Sequence, residues 1–328
     1  MEHGGQGRAS VERHDRLRGE ERALNPILED AGGTAVILAR AVALAAIVVA
    51  LGALAFRFLV VPRLPVGMRG ATPLFQSHAA RLGAWACTGL VAVALPRLWL
   101  QARGLAESGE PVWPMAASVL STTWGRSWML QGAGALIAAL GFLLALRARR
   151  IGWNVALAAG VMMALSAACM GHAIAGPRLV WVSVPSDALH VASVGAWVGT
   201  LFVLARIGFS VDIRSEGGGA IAALVRAFHR VALWSAAAAI ATGTLNALLR
   251  LQHLTDLFTS GYGTILLVKI GAVGAVAYMG AWNARSAGRR AQAGRVPSVM
   301  RTIGAEVLFA ATTLAVTAVL VGTAPQAR

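Results

Sequence analysis

Eight apolar runs, near residues 34–60, 77–100, 127–146, 152–172, 187–207, 228–250, 262–284 and 302–323, dominate this sequence. Each is close to the ~20 residues that an α-helix needs to cross the hydrocarbon core of a bilayer. Lipid offers no water to backbone N–H and C=O groups, so runs of this length and character are expected to fold as helices that satisfy their own backbones. Composition agrees. The chain is 57% hydrophobic and only 13% charged, with mean hydropathy +0.66, whereas soluble domains carry about 25% charged residues. The expectation is an all-α polytopic membrane protein, an eight-transmembrane-helix bundle with lipid as its surroundings and no soluble domain.

The runs divide the chain into a polar tail over 1–33, a first half of four helices over 34–172 and a second half of four helices over 173–328. The tail mixes acidic and basic residues, lacks the apolar core of a secretory signal and is expected to be disordered. Between the second and third runs, residues 101–126 contain Trp113 and Trp124 and suit a segment lying at the membrane interface. Gly217, Gly218 and Gly219 read as a flexible connector before the sixth run.

A formal charge of +15 and a pI near 11.7 would suit a nucleic-acid binder, but the arginines sit in short links between apolar runs, where they act as topology determinants. No nucleic-acid partner is expected. Groups such as Arg147, Arg149 and Arg150, or Arg285, Arg289, Arg290, Arg295 and Arg301, mark one side as cytoplasmic, whereas the opposite links hold scattered residues such as Arg97, Arg103, Arg126, Arg178 and Arg250. Both termini are therefore expected outside the cytoplasm. The chain's single lysine, Lys269, falls about two turns inside the seventh run, where it either snorkels to the interface or serves as a gate or charge partner for Asp187. A short echo between Trp124–Gln131 and Tyr262–Lys269 sets Gln131 where Lys269 stands and permits a parallel four-plus-four repeat.

Metal-capable side chains cluster in one stretch. His172 closes the fourth run and His190 lies at the start of the fifth, so antiparallel helices would set the two imidazoles at one depth. Cys169 and His172 are three residues apart, as are Asp187 and His190, and each pair shares a helix face. Met162 lies two turns from Cys169 on nearly the same stripe. Thiolate, thioether and imidazole donors suit copper, and imidazole with carboxylate suits several divalent ions. An interfacial histidine and packed Met and Cys side chains are the plainer alternatives. Elsewhere, His229 beside Arg226 and Arg230 reads as interfacial, His78 lies at the cytoplasmic start of the second run, and His253 lies in an outer link. Glu306 reads as an interfacial partner of Arg301 or a neighbouring arginine, Asn246 as a hydrogen bond between helices, and Gly195-x-x-x-Gly199 as a close-packing motif.

From Gly171-His172-Ala173 through Asp187-x-x-His190, Trp197-Val198-Gly199, Arg226-x-Phe228, Thr242-Gly243 with Asn246, Tyr262-Gly263 with Lys269, Asn283 and Glu306 to Pro325, the second half resembles the CopD copper-resistance family of bacterial inner-membrane proteins. The resemblance implies a multi-pass inner-membrane protein, not an enzyme, that brings a copper ion across the membrane or delivers it there. It also implies a periplasmic copper-binding partner of the CopC type, for which no domain is expected within these residues. Under it, His172 and His190 are outer copper ligands, Asp187 a ligand or orienter, and Cys169 and Met162 softer stations further in. Two readings compete with it: a b-type haem redox protein using the two histidines, and a copper chaperone or assembly factor that transports nothing. No nucleotide-binding loop or hydrolytic constellation is present.

Overall fold

The structure, a computed structural model, describes residues 32–107, 109–147, 150–171, 179–210, 218–251, 253, 255–292 and 296–322. Residues 1–31, His172 and Pro325 lie outside them. The described residues form helices, turns and short links, with no strand among them.

Eight helices are long and apolar enough to cross a membrane. We number the helices α1 (Gly33–Arg63, ending in a π turn and a 3-10 turn), α2 (Thr72–Leu105), α3 (Val112–Ser121), α4 (Thr123–Leu146), α5 (Arg150–Met170), α6 (Val180–Gly208), α7 (Gly218–Arg250), α8 (Gly261–Gln292) and α9 (Val296–Leu320). All but α3 are spans, so the protein is an all-α, multi-pass membrane bundle.

Two spans form its interior. In α6 and α1, 61% and 56% of the most apolar window is buried, against 44% or less in every other span. They cross where glycine lets the backbones touch: a Cβ on Gly199 would overlap the Val48 carbonyl oxygen, and one on Gly52 would overlap the Gly199 backbone. Thr200 Oγ1 donates to the Gly52 carbonyl at 3.2 Å across this contact. Gly195 faces Leu51 with no room for a Cβ, so both glycines of the Gly-x-x-x-Gly pattern serve close packing. The same segment, Gly195–Gly199, is a π turn within α6. Outer faces are apolar, as at Leu140, Trp234 and Leu308, each more than half exposed. Such a surface is stable only against lipid.

Three expectations shift. The fifth span begins at Val180 and not near 187, because the helix runs through Pro185. Proline removes one backbone donor without ending a helix whose freed carbonyl finds other partners. The sixth begins at Gly218 and not near 228, so Gly218 and Gly219 belong to a helix and not to a connector. Arg226, His229 and Arg230 interrupt the hydropathy there but lie exposed on one side, while Ala227, Phe228 and Val231 are buried on the other. Glu306 is no interfacial partner of Arg301. It is 3% exposed and accepts from Asn283 Nδ2 at 2.9 Å, while Arg290 donates to Asn283 Oδ1 at 3.4 Å.

The 101–126 link holds α3, which packs Ala116 and Val119 on Leu98 and Ala102 of α2 and leaves Trp113 69% exposed. Thr122 then caps α4, accepting from the Gly125 N–H at 3.1 Å. α3 thus braces the ends of α2 and α4 above the polar residues described next.

Candidate functional site

A polar layer lies about two turns inside one end of the bundle. Arg40 is seven residues into α1, Asp187 seven into α6, Gln131 eight into α4 and Lys269 eight into α8, while Arg97 is eight residues before the end of α2. At 1.5 Å per residue each sits roughly 10–12 Å below its helix end. All five line one cavity of about 370 Å³, together with His190 and with Arg250 at the end of α7. Every span contributes to its wall, the fourth through Met170, with Gly171 just past its end, and the last through Thr317.

His190 is held by α7. Its Nδ1 lies 2.9 Å from the Ala239 carbonyl and 3.3 Å from Thr242 Oγ1. The Thr242 hydroxyl donates to the Ala238 carbonyl at 2.6 Å, so its lone pairs face the ring. Both partners then accept, which assigns the proton to Nδ1 and leaves Nε2 with its lone pair, the tautomer a metal ligand requires. Gly243 makes the seat: a Cβ there would lie 3.0 Å from the ring's Cε1. Thr242-Gly243 in the sequence is thus the cradle of His190.

Asp187 is oriented from the same helix. Asn246 Nδ2 donates to Asp187 Oδ1 at 2.9 Å, and Ser186 Oγ donates to Asn246 Oδ1 at 2.7 Å, which fixes the amide's orientation. Arg250 lies 3.5 Å from Asp187 Oδ2. Lys269 is within electrostatic reach of Asp187, Arg250 and His190. Asn246 therefore does bridge two helices, and in doing so it aims the carboxylate.

Of the residues singled out in sequence, the structure brings together Asp187, His190 and Lys269. Gly171 reaches them, since a Cβ there would lie 3.7 Å from Asp187 Oδ2. His172 follows it in the chain but lies outside the described residues. Cys169 and Met162 do not line the cavity. Met162 packs its Cε beside Gly134 of α4, and Cys169 is half-buried. The thioether that does line the cavity is Met170, one helical step from Cys169. His253 and His229 are exposed and His78 is buried, all away from the cavity. His190 and Asp187 stand two to three turns inside α6, deeper than a helix-end site. Among the described residues no three His, Cys, Asp or Glu side chains converge.

Two arginines first assigned to the links, Arg97 and Arg250, belong to this cavity, as does Arg40. Arg97 Nη1 donates to Gln131 Oε1 at 2.7 Å. The signal was in the sequence, because an arginine within an apolar run rarely faces lipid. The echo that aligned Gln131 with Lys269 also set two cavity residues in register.

Residues 222–320 match the family profile of Copper resistance protein D, and residues 28–180 match that of the Copper resistance protein D-like N-terminal domain. The chain is also similar to Copper transport protein CutJ of Bacillus subtilis (strain 168), with 28% identity over 158 residues. That match covers 47% of this chain and 29% of the relative, so it spans under a third of the relative's length. No solved structure matches.

Proposed function

The chain belongs to the copper resistance protein D family, and on that footing we propose that it carries copper across the bacterial inner membrane through the polar cavity. The observation that supports this most is the seating of His190: its Nδ1–H is consumed by Ala239 and Thr242 of α7, which leaves Nε2 its lone pair, and the residue lines a cavity to which every span contributes. In this reading His190 Nε2 and His172 are ligands for the passing ion. Asp187, aimed by Asn246, balances its charge or joins its shell, and Met170 supplies the soft donor first sought at Cys169 and Met162. By the arginine distribution the cavity opens on the non-cytoplasmic side and both termini lie there, where a CopC-type protein would deliver the ion. The protein performs no covalent chemistry.

The basic residues of the wall favour passage over storage. A bound cation near Arg250 and Lys269 meets like charge, which lowers affinity and speeds release. Lys269 then acts as a gate, competing with the ion for Asp187.

The test is copper uptake into sealed proteoliposomes holding an entrapped copper indicator, for the wild-type protein and His190→Ala. Transport predicts uptake by wild type and its loss in the variant. Copper bound by wild type without any flux would overturn transport in favour of delivery.

A further inference from the structure

Among the described residues, the charge lining the cavity is unbalanced. Arg97, Arg250 and Lys269 line it from three different helices, with Arg40 as a fourth basic residue, and Asp187 is the one carboxylate of the wall among the described residues. Even with Arg40 set aside, three cations face one anion. Asp187 is engaged at the Arg250 side, where the pair lies 3.5 Å apart and Lys269 is in reach. Arg97 is different. Its partner is the neutral Gln131, at 2.7 Å, which fixes the guanidinium without adding negative charge and leaves most of its five donors for something else. Arg97 and Arg40 also lie within electrostatic reach of each other. Like charges held two turns inside a membrane bundle are costly unless an anion joins them. Planar, forked guanidinium groups match the oxygens of carboxylate and phosphate.

We propose that the cavity binds an oxyanion, a small polycarboxylate or a phosphate, between Arg97 and the Lys269 side of the wall. A volume of about 370 Å³ has room for more than a single ion, within the usual size of a small-molecule pocket. The same oxygens are available from two sources, a free anion in the aqueous phase or the phosphate of an anionic lipid headgroup. The proposal stands on the wall's charge alone and does not depend on copper binding.

The experiment uses the full chain, stripped of copper with a chelator, in discs of zwitterionic phosphatidylcholine. Equilibrium dialysis with radiolabelled citrate and with radiolabelled phosphate measures the free-anion arm. Native mass spectrometry of protein exposed to phosphatidylglycerol measures the lipid arm. We expect saturable binding in at least one arm, weakening as salt rises. Arg97→Gln should weaken it at least about tenfold and Lys269→Met several-fold, with Arg97→Lys, which keeps the charge but loses the planar fork, falling between wild type and Arg97→Gln. Saturable citrate or phosphate binding identifies the free anion, and retained phosphatidylglycerol without either identifies the headgroup. Circular dichroism checks that each variant keeps its helices. Absence of saturable binding by wild type in both arms overturns the proposal whatever the variants do. So does wild-type binding that Arg97→Gln and Lys269→Met both leave unchanged.

Discussion

Gly243→Ala separates the seat of His190 from the stability of the bundle. The added Cβ would lie 3.0 Å from His190 Cε1 and 3.3 Å from Nδ1, whereas carbon atoms pack best at about 3.5–4.0 Å. The ring must therefore retreat by about 0.5 Å. Its Nδ1 stands 2.9 Å from the Ala239 carbonyl, and a retreat of that size stretches the bond to about 3.4 Å, beyond the ordinary 2.7–3.2 Å range. Loss of the group that orients a ligating histidine typically costs about 10–100-fold in metal affinity, or roughly 1.4–2.8 kcal/mol. The same substitution replaces glycine in the interior of α7, which favours the helix by about 0.5–1 kcal/mol. Stability and binding are thus expected to move in opposite directions. The assay is a competition titration with a copper chelator, run beside thermal unfolding of the same protein in lipid discs. An Ala variant that unfolds no earlier than wild type and yet binds copper equally well would refute the assignment of His190 Nε2 as a ligand seated by Thr242 and Gly243.

Lys269→Arg should keep much of the copper uptake and Lys269→Met should lose it, because the role assigned to Lys269 is its charge beside Asp187; equal uptake in both variants would return it to a structural role. Gly199→Leu should leave little folded protein, since even a Cβ there overlaps the Val48 carbonyl and overpacking against backbone costs about 1–3 kcal/mol or more; size-exclusion profiles in detergent read the outcome. Reporter fusions after residues 150 and 290 should behave as cytoplasmic, and an external signal from either would reverse the orientation and move the cavity to the other face.

The eight spans were legible because lipid imposes one length and one backbone solution on every crossing segment. Their ends were less so, for a local reason in each case. Pro185 looks like a boundary but costs a helix only one donor, and the Arg226–Arg230 stretch looks like a link because hydropathy averages over faces that the fold keeps apart. The pairing of Asp187 and His190 on one face followed from three-residue spacing. Cys169 and Met162 share that logic, yet neither lines the cavity, because spacing fixes which residues of a helix lie together but not which stripe turns inward; Met170 of α5 lines it instead. Arg40, Arg97 and Arg250 were missed for a different reason. Arg97 and Arg250 were counted as topology signals and not weighed as membrane-buried charges, and Arg40 was not singled out, although Arg40 and Arg97 both lie within apolar runs. Asn246 was read as a bridge between helices, and only its bonds to Ser186 and Asp187 reveal that it orients a carboxylate.

In the proposed function His190, with His172 and Asp187, holds copper in transit. Metal content of the purified wild-type protein and of His190→Ala and His172→Ala, measured by elemental analysis after equilibration with copper, tests it most directly. Copper is expected on the wild-type protein, with most of it lost from either variant and helix content unchanged in both. Copper retained in full by both variants, or a wild-type protein that carries haem and no copper, would contradict it.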